Sequence, residues 1–390
     1  MNNRLNIRYR TPKEIETIIK KSVKGQDEGV KTVATALSAH LLRVRYAQNY
    51  PGSELQKDNM LVLGPTGSGK TESIRSVIRA LDLPIPVAVI SANTLTGSGW
   101  RGKNTTTILE DLRQACKPII KKDPQIWGLS ADLYLKDKDQ YKKLINRACV
   151  DLCSHGIIIL DEFDKLRARP GDGQDTFFQR MVQHELLKII EGGVGFGDDP
   201  STEEIDTTGI LFIMMGAFSD MYDRQQDIGF GSEAAAEVPF HLPSTQELID
   251  YGYIPELIGR IPVRTSYKAL TEDILFDILK NSDVSPVVDF KRLFAETENR
   301  LRFDDMALRA VAKLSISEQA GARGLRSVLD RVIYPILYNT PPDTGVIKVT
   351  EATIIDGAQP LIVSTDDYLD YIHKELGIGN EDAAIKVENE

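Results

Sequence analysis

At 390 residues the chain has room for about two domains, each with a proper core. Hydrophobic residues make up 42% and charged residues 27%, ordinary for a water-soluble protein. No apolar run approaches the roughly 18 residues of a membrane helix. A formal net charge of −10 argues against a general nucleic-acid footprint. The start, Met1 to Asn6, lacks the apolar core of a secretory signal, so the expected compartment is the cytoplasm, with no membrane partner.

From Pro12 to about Arg45 the pattern is helical, broken by the turn Lys24-Gly25-Gln26-Asp27. Val30, Val33, Ala34, Leu37 and Leu41 share one face of the second half. Asn49 to Ser53 breaks that helix, and a polar connector follows. Met60-Leu61-Val62-Leu63 then reads as a buried strand. It runs directly into Gly64, Pro65, Thr66, Gly67, Ser68, Gly69, Lys70 and Thr71, which fit the spacing G-x-x-x-x-G-K-[ST]. Ile74, Val77, Ile78 and Leu81 recur behind it at helical spacing. Strand, glycine-rich turn and helix start make a phosphate cradle: glycines let backbone N–H groups turn inward, and the helix N-terminus adds positive potential. Lys70 is expected to reach the β- and γ-phosphates of a nucleoside triphosphate, and Thr71 to hold Mg²⁺.

Pro86 to Ile90 is a second strand. The stretch from about Lys117 to Arg147 is lysine-rich and hydrophilic and carries no recognisable motif. The three cysteines, Cys116, Cys149 and Cys153, are few and odd in number, which suits a reducing compartment without disulfides. Cys149, Cys153 and His155 are close in sequence, but zinc takes four ligands and Cys116 is distant. Buried, inert thiols and no structural zinc are the expectation. Ile157 to Leu160 is a third strand, ending in Asp161 and Glu162 at the sheet edge where phosphates lie. Alternation along the strand aims the two carboxylates differently: Asp161 toward Mg²⁺, Glu162 toward a water that attacks the γ-phosphate. A separate glutamate base, with a strand between the two motifs, suits ATPases that drive mechanical work.

Phe178, Val182, Leu186 and Ile189 mark a helix ending at Gly192-Gly193, followed by a glycine-rich, then acidic, loop to Thr208. Ile210 to Met215 is a fourth strand and Ile261-Pro262-Val263 begins a fifth. Strands alternating with helices imply an α/β fold with a mostly parallel sheet covered on both faces. After Leu270 the helices expected at Thr271–Leu279, Asp304–Leu314 and Gly324–Tyr338, with a strand at Val346–Val349, make a second, mainly helical domain. The expected organisation is a large domain over 1–268, a small one over 269–368, and an acidic tail over 369–390.

Four further stretches follow in order: Gly99-Trp100-Arg101-Gly102 after Thr94-Leu95-Thr96, Ile228-Gly229-Phe230-Gly231, Ile254 to Pro262 with Arg260, and Gly321 to Arg326 with Arg323. Together with the Gly25-Gln26 turn, the phosphate loop and the carboxylate pair, they make the chain resemble the ClpX family, AAA+ ring ATPases that unfold proteins for an attached peptidase. The resemblance runs from about Pro12 to Val363. It implies an AAA+ P-loop NTPase core with a parallel sheet and a smaller helical lid domain. It also implies ATP and Mg²⁺ as cofactors, a homohexamer, protein substrates and a ClpP-like peptidase. By the same resemblance Arg260 is a finger on the neighbouring subunit's nucleotide and Arg323 touches the nucleotide from the small domain. Gly99, Trp100, Arg101 and Gly102 grip the substrate in the pore, and Ile228, Gly229 and Phe230 dock on the peptidase.

Departures from the family are informative. Trp100 stands where tyrosine is expected, a conservative change in size. The family's cysteine-rich zinc domain is missing, which puts adaptor use in doubt. Its basic pore-entrance loop is replaced by Asp198, Asp199, Glu203, Glu204 and Asp206, so tags ending in a free carboxylate are expected to be repelled and basic signals preferred. The 117–147 stretch has no counterpart, and no sensor role falls to Met215 or Gly216. Three other readings stay open: a free-standing protein remodeller, a nucleic-acid remodelling ATPase, and an ATP-binding scaffold without hydrolysis. The second expects a basic channel. The third is opposed by Lys70, Glu162 and Arg260.

Overall fold

Four apolar residues in a row, Met60–Leu63, form β1, and each is fully buried on both faces of a sheet. Such a run, without alternation, is what a central parallel strand requires. In the computed structural model, which describes residues 7–50, 52, 55–95, 107–168, 174–193, 204–221, 241–318 and 320–364, β1 is joined by β2 (Val87–Ser91), β3 (Ile157–Asp161), β4 (Leu211–Gly216) and β5 (Val263–Ser266). All pairings are parallel, in the order β2-β3-β4-β1-β5. After β1 the chain crosses to the far edge and works back, and β5 returns on β1's other side. The C-terminal ends of β1 and β3 therefore flank the switch in strand order, where open α/β sheets bind ligands. The segments 99–102 and 228–231, the loop residues Asp198, Asp199 and Glu203, and the tail 369–390 lie outside the described residues.

Helices cover the sheet. Thr11 and Glu14 form a reciprocal cap at the start of α1 (Pro12–Ser22): the Glu14 N–H donates to Thr11 Oγ1 at 3.2 Å, and the Thr11 N–H to Glu14 Oε2 at 2.7 Å. Past the Gly25-Gln26 turn, α2 (Asp27–Asn49) buries the expected face. The Gln26 amide pairs in both directions with the backbone of Lys268, at 2.8 Å each way, tying the turn to the exit of β5.

The lysine-rich stretch is structured. α4 (Thr107–Lys122), a short 3₁₀ turn over Pro124–Trp127, α5 (Ala131–Lys136) and α6 (Lys138–Cys153) carry it, and Ile120, Trp127 and Leu129 enter the core. The hydrophilic reading saw only the outer faces of these helices. Cys116 also needs correcting. It is far from Cys153 in sequence, but α4 and α6 pack together and bring the two sulfurs to 3.3 Å. Hydrogen bonds to Cys149 and Cys153, with burial, push the Cys116 thiol far up, which keeps it unreactive. Among the described residues no three His, Cys, Asp or Glu side chains converge as metal ligands, and no helix is long and apolar enough to cross a membrane.

His40, on the buried face of α2, bonds through Nε2 to the carbonyl of His155 at 3.1 Å. Burial pushes its pKa down to about 3. The unfolded chain, with histidine near 6.5, therefore takes up a proton that the folded one refuses. Stability from this group is complete above the unfolded value and is lost as pH falls from there toward 3. The expected slope is at most about 1.4 kcal/mol per pH unit. Urea midpoints measured across this range should show it as the difference between wild type and His40→Gln; parallel curves would contradict it.

The described residues fall into a large unit, ending at Lys268, and a second made of Lys21–Gly25, Thr66–Ser68 and the described residues from Ala269 to Ser364. In the second, α8 (Glu272–Asn281), α9 (Pro286–Ala295), α10 (Asp305–Ser317) and α11 (Ala322–Asn339) pack around Phe290, Phe294, Leu325 and Leu329. Thr271, Ser285 and Asp304 cap the first three with side-chain oxygens. A three-stranded sheet of β6 (Arg300–Phe303), β7 (Val346–Val349) and β8 (Leu361–Val363) completes it, with β7 in the middle. Of these, β6 and β8 leave too short a pattern to be read from sequence, while α9, as long as α8, was not foreseen.

Candidate nucleotide site

The loop after β1 turns because its glycines allow it. Gly64, Gly67 and Gly69 hold φ of +147°, +78° and +97°, and Gly69 caps α3 (Lys70–Leu81) in the left-handed region. Gly64 has a second reason: a Cβ there would lie 2.6 Å from the carbonyl of Tyr267. Tyr267 is fully buried behind the loop, and its hydroxyl is 2.6 Å from Ser73 Oγ on α3. The loop thus rests on an aromatic wedge supplied from the end of β5.

Lys70 is 8% exposed, and its ammonium donates to the carbonyls of Gly64 and Pro65, the latter at 2.8 Å. It is therefore held over the loop that its own helix start forms. Thr71 Oγ1 donates to Asp161 Oδ2 at 2.9 Å. This brings together two oxygen ligands ninety residues apart, one in the first turn of α3 and one at the end of β3. Such hard oxygens suit Mg²⁺ rather than a softer metal, so the residues fit the expected ion.

Glu162 follows at φ +57°, an uncommon conformation for a side chain of this size, with its N–H bonded to Asp161 Oδ1 at 2.9 Å. Its carboxylate accepts from Ser91 Oγ at 2.5 Å and from Asn93 Nδ2 at 2.6 Å, both at the end of β2. Sequence reasoning missed these two holders. Polar residues after a strand are too common to stand out. Asp164, also unforeseen, is 4% exposed and accepts from the Ala217 N–H at 3.1 Å, pinning the end of β4. A Cβ on Gly216 would meet that carboxylate at 2.6 Å, so Asp164 occupies the room a side chain there would need.

Two further candidates come from other elements. Arg260 follows a short helix, α′ (Pro255–Gly259), just before β5, and pairs with Glu191 at the end of α7 (Gln174–Glu191). Arg323 is exposed on the first turn of α11 in the small unit.

Residues 55–264 match the family model described as AAA domain (Cdc48 subfamily), and residues 270–353 the model for the C-terminal, D2-small domain of ClpB protein. The ATP-dependent Clp protease ATP-binding subunit ClpX 2 of Wolinella succinogenes is 31% identical over 367 residues, covering 90% of this chain and 84% of the relative. The chain belongs to the ClpX-like AAA+ ATPases. ClpX-like membership makes it an ATP-binding enzyme and accounts for the parallel core followed by a small, mostly helical domain.

Proposed function

We propose that the chain is one subunit of a homohexameric ring that hydrolyses ATP at each subunit seam and threads protein substrates through its pore into a ClpP-like peptidase. One observation carries the seam. Arg260 and the phosphate loop stand at opposite ends of β1. Asn59, just before β1, donates to the Arg260 carbonyl at 2.8 Å, and Val263 is in register with Met60. From Asn59 to Gly64 the strand runs about 16 Å, farther than an arginine side chain reaches. A finger so placed has no use on its own subunit's nucleotide and is suited to a neighbour's.

In this reading Gly64 to Gly69 cradle the phosphates with backbone N–H groups and Lys70 neutralises the β- and γ-oxygens. A magnesium ion at Thr71 and Asp161 supplies charge neutralisation between the phosphates when bound. Glu162, released from Ser91 and Asn93, takes a proton from the attacking water. Arg260 of the next subunit forks onto the oxygens of the departing phosphoryl group, a geometry guanidinium holds without loss of charge. Arg323 reports nucleotide state to the small domain. Trp100 grips the substrate by apolar area, which needs no sequence specificity, and the Ile228-Gly229-Phe230 tip docks on the peptidase. The relative's name, a Clp protease ATP-binding subunit, supports that partner.

The test uses Glu162→Gln, which should bind ATP without turnover. With ATP and magnesium, mass photometry should report a hexamer, and client proteins should co-purify with the stalled ring. A monomer under those conditions, or tight duplex DNA binding with no effect on folded proteins, overturns the reading.

A further inference from the structure

Beneath the candidate finger lies a second set of contacts. The backbone of Arg260 is pinned. Asn59, 3% exposed, donates to its carbonyl at 2.8 Å while accepting from the Phe212 N–H of β4 at 3.1 Å. The Arg260 N–H closes onto the Leu257 carbonyl at 3.1 Å, and the next residue, Ile261, is fully buried. The side chain, by contrast, is 53% exposed and has several free torsions. What orients it is Glu191: Nε and Nη2 both donate to Glu191 Oε1, at 3.2 and 2.8 Å.

The edge used matters. A guanidinium has two forks, one through Nε and Nη2 along its side and one through Nη1 and Nη2 at its tip. Glu191 takes the side fork, which leaves the tip fork pointing onward for two phosphate oxygens. A carboxylate that took the tip would compete with the nucleotide. One on the side holds the arginine while leaving its tip hydrogens free of that carboxylate.

Glu191 is also oddly sited for a purely structural acid. It is the last residue of α7, followed by Gly192 and Gly193 at φ +100° and +140°. A negative charge at a helix C-terminus works against the helix dipole. The Arg260 guanidinium offsets both the carboxylate and the terminal carbonyls. Nearby Lys57 has its pKa pushed down to about 8, by burial, against the raising charge of Asp206, and to a smaller degree by the charge of Arg260. Without Glu191, Arg260 would face this cation with one fewer counter-charge.

We infer that Glu191 is the positioning residue of the Arg260 finger, holding its side fork so that its tip meets the neighbouring subunit's γ-phosphate. This rests on the finger reading of Arg260, and the experiment separates the two. Steady-state ATPase is measured on the full chain for Arg260→Ala, Glu191→Gln, Glu191→Ala and the double variant Glu191→Ala with Arg260→Ala, with ring assembly followed by mass photometry. Because a misplacement of about 1 Å can cost up to 10²-fold, Glu191→Ala should lower kcat by about 10-fold. KM for ATP should stay within about twofold, since the finger acts in the transition state. Glu191→Gln, which keeps an acceptor oxygen in place, should fall between wild type and Glu191→Ala. In the Arg260→Ala background, Glu191→Ala should change nothing further. If Arg260→Ala itself leaves kcat intact, the finger reading fails. If Arg260→Ala collapses kcat but both Glu191 variants stay near wild type, or the Glu191→Ala loss recurs in full without Arg260, the positioning role is overturned. Should Glu191→Ala fail to assemble, Glu191→Gln alone decides by its kcat at unchanged KM.

Discussion

Equimolar mixing of Arg260→Ala subunits with Glu162→Gln subunits should restore ATP hydrolysis that neither variant supports alone. Each is expected to be inactive for a different reason. Glu162→Gln keeps the shape of the side chain, and its bonds to Ser91 and Asn93 have a neutral counterpart, but it cannot take the proton of the attacking water. Arg260→Ala removes a charge that, supplied across a boundary, is worth roughly 10³–10⁵ in rate. A complete site needs Glu162 from the subunit holding the nucleotide and Arg260 from the next. With random assembly about one seam in four joins an intact Glu162 to an intact Arg260, so activity should recover to about a quarter of wild type. The position of Arg260 at the far end of β1 from the loop makes this outcome specific. If Arg260 served its own subunit's site, the mixture would stay inactive after subunit exchange, and the seam would have to be abandoned.

Trp100→Ala should leave ATP turnover within about twofold of wild type and abolish unfolding of a folded, tagged substrate. The residue stands between Gly99 and Gly102, in a stretch with no apolar periodicity to place it in a core. A large aromatic in a glycine-flanked loop presents area without the rotamer cost of a flexible chain, which is what a non-specific grip on a moving polypeptide needs. Hydrolysis, assigned to the loop after β1, the start of α3, the end of β3 and the neighbouring finger, should not depend on it. Fluorescence loss from an unfolding reporter and phosphate release, measured on the same sample, give the two readouts. Equal loss of both would assign Trp100 a structural role.

Much of the candidate site is legible in the sequence, for a local reason. A phosphate cradle is built from consecutive residues, so Gly64 to Thr71 declare it by spacing alone, and the buried strands on either side are continuous apolar runs. Asp161 and Glu162 could be read for the same reason: they end such a run. The Gly25-Gln26 break is equally local, since glycine supplies its positive φ, whereas the partner that Gln26 holds, the backbone of Lys268, is not.

Contacts between residues far apart in the chain had no such signature. Ser91 and Asn93 reach Glu162 across about seventy positions, Glu191 reaches Arg260 across sixty-nine, and Cys116 reaches Cys153 across thirty-seven. The polar pairs are exposed side chains that impose no periodicity. The cysteines meet because two helices pack, which the lysines on their outer faces concealed. By itself the sequence determined that this is an α/β nucleotide hydrolase with its phosphate loop after the first core strand, because backbone conformation and burial are written residue by residue. Tertiary structure alone decided which carboxylate pairs with which arginine, what holds Glu162, and that Arg260 ends a strand's length from its own subunit's loop. Those depend on strand order and register, and a one-dimensional pattern carries neither.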